Sequence, residues 1–141
     1  GPPCITNGDE TAMEGGTHPD SPRAFPWDKP RWDPARRVWV RRCIALRHQY
    51  PALRRGTLRR LWADRSVYAF ARALPPDPPL VVAVNAGETP AEVRVPLAGE
   101  GDRPLADGLW TDRLSGQAFP AADGALRLTL PPLSGVVLAR G

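Results

Sequence analysis

Lysine is almost missing from this chain. Lys29 stands alone, and 18 of the 19 basic residues are arginine. So lopsided a usage, beside abundant alanine, proline and glycine, points to coding bias ahead of phosphate binding. Cysteine is as scarce: Cys4 and Cys43 lie far apart and form no C-x-x-C. Each sits among apolar residues and is expected to be a small buried hydrophobe rather than a ligand or nucleophile, which favours a reducing compartment and leaves a Cys4–Cys43 disulfide open. Histidine is limited to His18 and His48, with no second ligand at helical spacing, so no metal site and no cofactor are expected. No apolar run approaches ~20 residues, so nothing here is expected to span a membrane. The opening GPPCITNGDE lacks the basic region and apolar core of a signal peptide, and a cytoplasmic location is expected. Gly8 and Gly15-Gly16 make neither a G-x-G-x-x-G fingerprint nor a phosphate loop, and no Ser/His/Asp or Cys/His arrangement has local support.

What is present is a helix pattern followed by many short strand patterns. From Asp33 to Tyr50 the chain reads DPARRVWVRRCIALRHQY. Asp33 is placed to cap the first amides and Pro34 to occupy a position where a missing N–H costs nothing. Trp39, Cys43, Leu46 and Tyr50 recur at i, i+4, i+7 and i+11 on one face, widened by Val40 and Ile44. Pro51 ends the run by disfavouring the helical conformation at Tyr50. His48, near the end of this helix, is suited to the helix dipole.

Beyond the helix, apolar patterns predict paired strands over 58–62 and 66–74 around the turn Ala63-Asp64-Arg65, a strand apolar on both faces over 80–84, alternating strands over 92–97 and 126–130, and a last strand over 134–140. Turn signals arrive about every ten residues, the spacing of an antiparallel sandwich. The 13 glycines and 18 prolines show no period and fall mostly between apolar runs, where turns belong. Before the helix, Pro3-Cys4-Ile5-Thr6 is read as a short buried strand ended by Asn7-Gly8. Residues 14–22 are read as a long loop, ordered by Phe25, Trp27 and Trp32.

Three groups of residues carry possible chemistry. Phe25, Trp27 and Trp32 are able to stack on sugar rings, or simply to pin the loop to the core. Residues 36–60 hold nine arginines and no acid, a block that attracts polyanions; its default is a solvated face, so nucleic acid is not the expected partner. Asp9, Glu10 and Glu14 are candidate acid–base groups, with turn and loop carboxylates as the plainer reading.

The first 28 residues, GPPCITNGDETAMEGGTHPDSPRAFPWD, resemble the segment that begins at the eighth barrel strand in the α-amylase superfamily (glycoside hydrolase family 13). In its neopullulanases, cyclomaltodextrinases and maltogenic amylases this segment runs like G-x-P-x-I-Y-Y-G-D-E-x-G-M-E-G-G-x-D-P-D-x-R-R-x-x-P-W-D. Gly8-Asp9-Glu10, Met13-Glu14-Gly15-Gly16, Pro19-Asp20, Arg23 and Pro26-Trp27-Asp28 match it. The resemblance continues through residues 43–47 and 50–56. It implies that 1–56 is a remnant of a (β/α)8 barrel (eighth strand, long loop, eighth helix) and that 57–141 is a C-terminal antiparallel β-sandwich, so that the chain is mainly β.

The same resemblance implies a parent enzyme acting on α-glucans or maltooligosaccharides by retaining hydrolysis or transfer. Its three catalytic carboxylates would sit on the fourth, fifth and seventh barrel strands, all preceding Gly1, so the chain is expected to be inactive alone and architectural. The family's aspartate and first arginine that hold a sugar after the eighth strand fall on His18 and Pro22, and Thr6-Asn7 replaces the usual Tyr-Tyr. The remaining sugar-binding candidates are His18, Asp20, Arg23 and Trp27. Two other functions stay open: a stand-alone carbohydrate-binding sandwich using Phe25, Trp27 and Trp110, and a polyanion-binding module using Arg36–Arg60. Without its barrel partners the helix stripe is expected to drive self-association.

Overall fold

Asp33 opens the longest helix, α1 (Pro34–Gln49). Its Oδ1 accepts from the backbone N–H of Ala35 at 2.8 Å and of Arg36 at 3.0 Å, satisfying two of the amides a helix start leaves unpaired. In the computed structural model, residues 3–17, 23–98 and 104–141 are described. They form two compact units, Gly1–Gln49 and Tyr50–Gly141. No helix is long and apolar enough to cross a membrane.

In the first unit, two single 3-10 turns, Asp9–Thr11 and Lys29–Arg31, precede α1. Of the predicted helix stripe, Leu46 is buried and Val40 half-buried, while Trp39, Cys43 and Ile44 are exposed. Two expectations need correction. Pro3–Thr6 forms no strand and is exposed. A strand exists only where neighbours complete its ladder of N–H and C=O groups, and no described residue supplies one. Cys4 and Cys43 are exposed free thiols rather than buried hydrophobes. Partial desolvation on α1 nevertheless pushes the Cys43 thiol above its ordinary pKa.

The second unit begins with a one-turn helix, α2 (Ala52–Arg55), and continues as eight strands: β1 (Thr57–Ala63), β2 (Val67–Ala73), β3 (Leu80–Asn85), β4 (Ala91–Pro96), β5 (Gly108–Asp112), β6 (Ala118–Ala122), β7 (Ala125–Leu130) and β8 (Ser134–Arg140). They hydrogen-bond in the order β1-β2-β3-β8-β5-β6-β7-β4, every pair antiparallel. Strands β5–β7 with β4 returning beside β7 make a Greek key. The sheet curls on itself as a sandwich, and the Arg59 guanidinium reaches from β1 to the Leu97 carbonyl just past β4. The chain is therefore mainly β, as its alternation predicts.

One contiguous core fills the sandwich, with Leu61, Val67, Val81, Val95, Trp110, Phe119, Leu126, Leu128 and Leu138 among its members. Alternation explains it: in β7 the burial of Leu126, Leu128 and Leu130 alternates with the exposure of Arg127 and Thr129. A smaller cluster joins Ala52 to Leu80 and Ala139, with Tyr50, Leu53 and Leu74 against it. That packing joins Tyr50–Gly56 to the strands in the second unit.

Turns are set by identifiable residues. Asp64 closes β1–β2: Oδ1 accepts from Ser66 N and Val67 N, and Oδ2 from the Trp62 indole N–H. The Val67 amide, the Trp62 indole and the Ser66 amide together hold this carboxyl below its ordinary pKa. Between β6 and β7, Asp123 and Gly124 adopt φ of 53° and 69°, so a residue without Cβ suits the second position of this two-residue turn.

Two polar side chains are buried in the sandwich. Asn85 donates to the Thr89 and Pro131 carbonyls, each at 2.9 Å, and accepts from Gly87 N. Asp112, 2 % exposed, accepts from Leu114 N, Ser115 N, Ser115 Oγ and Val137 N. Both act as fasteners for the connections around them.

Candidate functional site

Within the first unit, the segment from Asn7 to the start of α1 folds around an open depression of ≈ 380 Å³ lined by Asn7, Glu10, Thr11, Phe25, Trp27, Trp32 and Arg37. Its geometry starts at Gly8, whose φ of +92° favours glycine; a Cβ there would stand 2.6 Å from Met13 Cβ. Asp9 Oδ2 accepts from Thr6 N at 2.7 Å and closes the turn. Asp9 is thus a turn carboxylate, whereas its neighbour Glu10 faces the depression. Thr11, 2 % exposed, donates its hydroxyl to the Gly8 carbonyl, and its own carbonyl accepts from Asp33 N at 3.1 Å. That last bond ties the turn to the residue that caps α1.

The aromatic side is built by mutual packing. Phe25 meets Trp27 edge-on at 4.9 Å between centroids and Trp32 edge-on at 5.8 Å. Trp32 is held twice more: its indole N–H donates to the Pro26 carbonyl at 2.6 Å, and the Arg37 guanidinium lies 4.9 Å from its ring centroid. Trp27, by contrast, is 82 % exposed. The arrangement is a fixed ring pair presenting a third ring to solvent, with a carboxylate and a guanidinium in the same hollow.

The sequence-derived candidates are placed unevenly. His18 and Asp20 lie outside the described residues, as does Pro22. Arg23 is exposed, does not line the depression, and accepts at its carbonyl from the Asn7 side-chain amide at 3.1 Å. Trp27 lines it together with Phe25 and Trp32. Trp110 has to be removed from any binding surface: it is 1 % exposed, stands across from Phe119 in the β5–β6 pair, and donates its indole N–H to the Ala106 carbonyl at 3.2 Å. The arginine block is not one helical face, because it runs through α1, α2 and β1 and is shared between the two units. Arg37 as a lining residue went unread in the sequence, since its five-residue distance from Trp32 crosses the helix cap and follows no helical spacing.

A larger hollow of ≈ 560 Å³ in the second unit is walled by Thr57, Arg59, Ala71, Ala73, Pro75, Pro76, Pro79 and Pro104 among others. It contains no aromatic ring.

Comparison with known proteins bears on both units. A family model described as "Neopullulanase-like, C-terminal domain" matches residues 58–138. The chain is 33% identical to "Neopullulanase 2" of Thermoactinomyces vulgaris, over 100% of its own length and 23% of that protein. It is also 33% identical to a "Cyclomaltodextrinase" of Geobacillus thermopakistaniensis, over 99% of this chain and 23% of the other. Among solved structures, Ttha1563 from Thermus thermophilus superposes with a TM-score of 0.79 at 32% identity, covering 96% of this chain and 27% of that one. The chain thus spans about a quarter of each of these relatives. It belongs to the neopullulanase-like members of the α-amylase superfamily, glycoside hydrolase family 13, and represents their C-terminal portion.

Proposed function

We propose that this chain serves as the C-terminal part of an enzyme that hydrolyses or transfers α-glucosidic bonds with retention, through a covalent glycosyl–enzyme intermediate and two carboxylates. Residues 57–141 are its C-terminal sandwich, and residues 1–56 are the end of its barrel: the segment of the eighth strand, the loop after it, and the eighth helix. The chain's own contribution is architectural, with one wall of the cleft supplied by the loop, because barrel sites are built from such loops. On this reading His18, Asp20, Arg23 and Trp27 are the candidates for contact with α-glucan or maltooligosaccharide. The observation that carries the proposal is the neopullulanase-like match over 58–138, the stretch that holds the sandwich core.

The test is an activity assay. The purified chain by itself should release no reducing sugar from starch, pullulan or cyclodextrins above a buffer blank. In the family the nucleophile and general acid belong to the fourth and fifth barrel strands, and no segment here corresponds to them. Turnover by protein free of host amylase would overturn the architectural reading.

The exposed face of α1 supports one further partner, a second copy of the chain. On the predicted stripe Trp39 is 44% exposed, Cys43 one turn on is exposed as well, and Ile44 at its edge is 40% exposed. Each Å² of apolar surface withdrawn from water is worth about 25 cal/mol. A concentration-dependent dimer or larger species is expected in sedimentation experiments, weakened by Trp39→Glu. A monomer at all concentrations, unchanged by that substitution, would reject self-association through this helix.

A further inference from the structure

The outward side of β4 and β7 carries the one like-charge pairing of the described strand ladders. Arg94 stands directly across from Arg127 in this antiparallel pair, and both are exposed. Like charges so placed, with Cβ atoms about 4.5–5.5 Å apart, destabilise a sheet. Among the described residues neither guanidinium has a hydrogen bond or an ion pair to offset that repulsion. A local conflict of this kind, in a sandwich whose other patterns agree with its fold, marks a functional position. We propose that the pair is a binding site for hydrogenphosphate. Arg94 and Arg127 clasp the anion, Thr129 adds its hydroxyl, and Glu92 accepts from the phosphate's own P–OH.

Alternation brings the four side chains to one side of the sheet. Leu126, Leu128 and Leu130 of β7 are buried, which turns Arg127 and Thr129 outward. In β4, Val95 is buried and Glu92 and Arg94 are exposed. Glu92 stands opposite Thr129, one pair along from the arginines. Diagonal neighbours at that spacing are within reach of long side chains. All four residues line one open hollow of ≈ 390 Å³. The site lies wholly within the second unit. The chain enters that unit through α2, which packs on Leu80 of β3 and Ala139 of β8. Strands β5 and β6 separate those strands from β7 and β4 along the sheet, so Arg94 and Arg127 lie away from the strands that meet the incoming chain.

The polar groups define the ligand. Two guanidiniums beside one carboxylate leave a positive surplus, which selects an anion. Each guanidinium presents a planar fork of N–H donors and no acceptor. The two coplanar oxygens of a carboxylate fill one such fork, whereas a tetrahedral oxyanion has oxygens for both. Glu92 narrows the choice. Its carboxylate only accepts hydrogen bonds, so it opposes a dianion without a proton, such as sulfate. Hydrogenphosphate carries one P–OH, which donates to Glu92 while the remaining oxygens accept from the arginines and from Thr129.

A bound anion offsets the repulsion, so phosphate should stabilise the sandwich by mass action. The experiment is a titration of the full chain with sodium phosphate, at a pH where HPO₄²⁻ predominates, with arginine Nε–H resonances resolved by ¹⁵N labelling. Sodium chloride and sodium sulfate of matched ionic strength are the references. Phosphate should shift the Arg94 and Arg127 signals in a saturable way, bind more tightly than sulfate, and raise the urea midpoint above that in chloride. Arg94→Gln or Arg127→Gln should weaken phosphate binding by about tenfold. Without phosphate both variants should be at least as stable as the parent, because the repulsion is gone. Glu92→Gln should remove the preference for phosphate over sulfate. Methyl phosphate, whose dianion lacks the P–OH, should bind no better than sulfate, which separates free phosphate from a phosphomonoester as the ligand. Shifts that chloride reproduces at equal ionic strength would reduce the effect to screening and overturn the site. Unchanged phosphate affinity in both arginine variants would overturn it as well. Sulfate bound as tightly as phosphate by the parent would overturn the Glu92 contact and with it the choice of hydrogenphosphate.

Discussion

Replacing Asp112 by alanine should destabilise the sandwich by on the order of 3–4 kcal/mol, a large part of a domain's typical ~5–15 kcal/mol. The reason lies in what Asp112 accepts. Its two oxygens take the N–H groups of Leu114, Ser115 and Val137 and the Ser115 hydroxyl, the last at 2.6 Å. Together these bonds fasten the β5–β6 connection to β8, with Asp112 paired opposite Leu138. Alanine would leave three backbone donors facing a site only 2 % exposed, where water reaches them poorly. Asp112→Asn keeps one acceptor oxygen but turns an NH₂ toward groups that also donate, so an intermediate loss is expected. Urea denaturation of the three proteins, followed by circular dichroism, checks the ranking. Asn and Ala variants as stable as the parent would mean that these N–H groups find water in the native state.

Trp110→Ala should cost about 3–5 kcal/mol, the range for deleting a large buried aromatic side chain. Trp110 is 1 % exposed, lies opposite Phe119, and belongs to the main core cluster, to which all eight strands contribute. Removing the indole leaves a cavity bounded by strands that cannot collapse independently, because β5 is hydrogen-bonded to both β6 and β8. Trp110→Phe fills most of that volume and loses chiefly the bond to the Ala106 carbonyl, so it should cost about 1–2 kcal/mol. The same urea experiment gives both values. An alanine variant within about 1 kcal/mol of the parent would show that the interior around β5 relaxes freely, contrary to close packing.

Local patterns settled much of the architecture. Asp33 and Pro34 mark the start of α1 because capping is a one-turn interaction, complete within residues 33–36. Strands β1, β2, β3, β4, β7 and β8 were legible from their apolar runs: β2 and β7 bury alternate residues, while β3 buries Leu80, Val81 and Ala83 and β8 buries the neighbours Leu138 and Ala139. Strands β5 and β6 were missed. Pro120 inside β6 argues against a strand in sequence, and Trp110 looks like a lone surface ring until Phe119 is brought opposite it. A signal was nevertheless present in Asp123-Gly124, a two-residue pair typical of tight hairpins that here joins β6 to β7.

The rest depended on partners far away in the chain. Pro3–Thr6 has the composition of a strand, but strand formation needs neighbouring backbones and none of the described residues provides them. Cys4 and Cys43 sit among apolar residues in sequence, yet exposure is a property of what packs over them, and both remain exposed. The depression is the clearest case. Glu10, Trp27 and Arg37 come from a turn, a loop and a helix, each with its own local logic. They meet because Asp33 N bonds to the Thr11 carbonyl and Trp32 to the Pro26 carbonyl. The sequence by itself determined the family, the main helix and most strands, since those depend on spacing along the chain. Only tertiary packing decided that Trp110 is core and Trp27 is surface, because burial depends on neighbours that spacing does not specify.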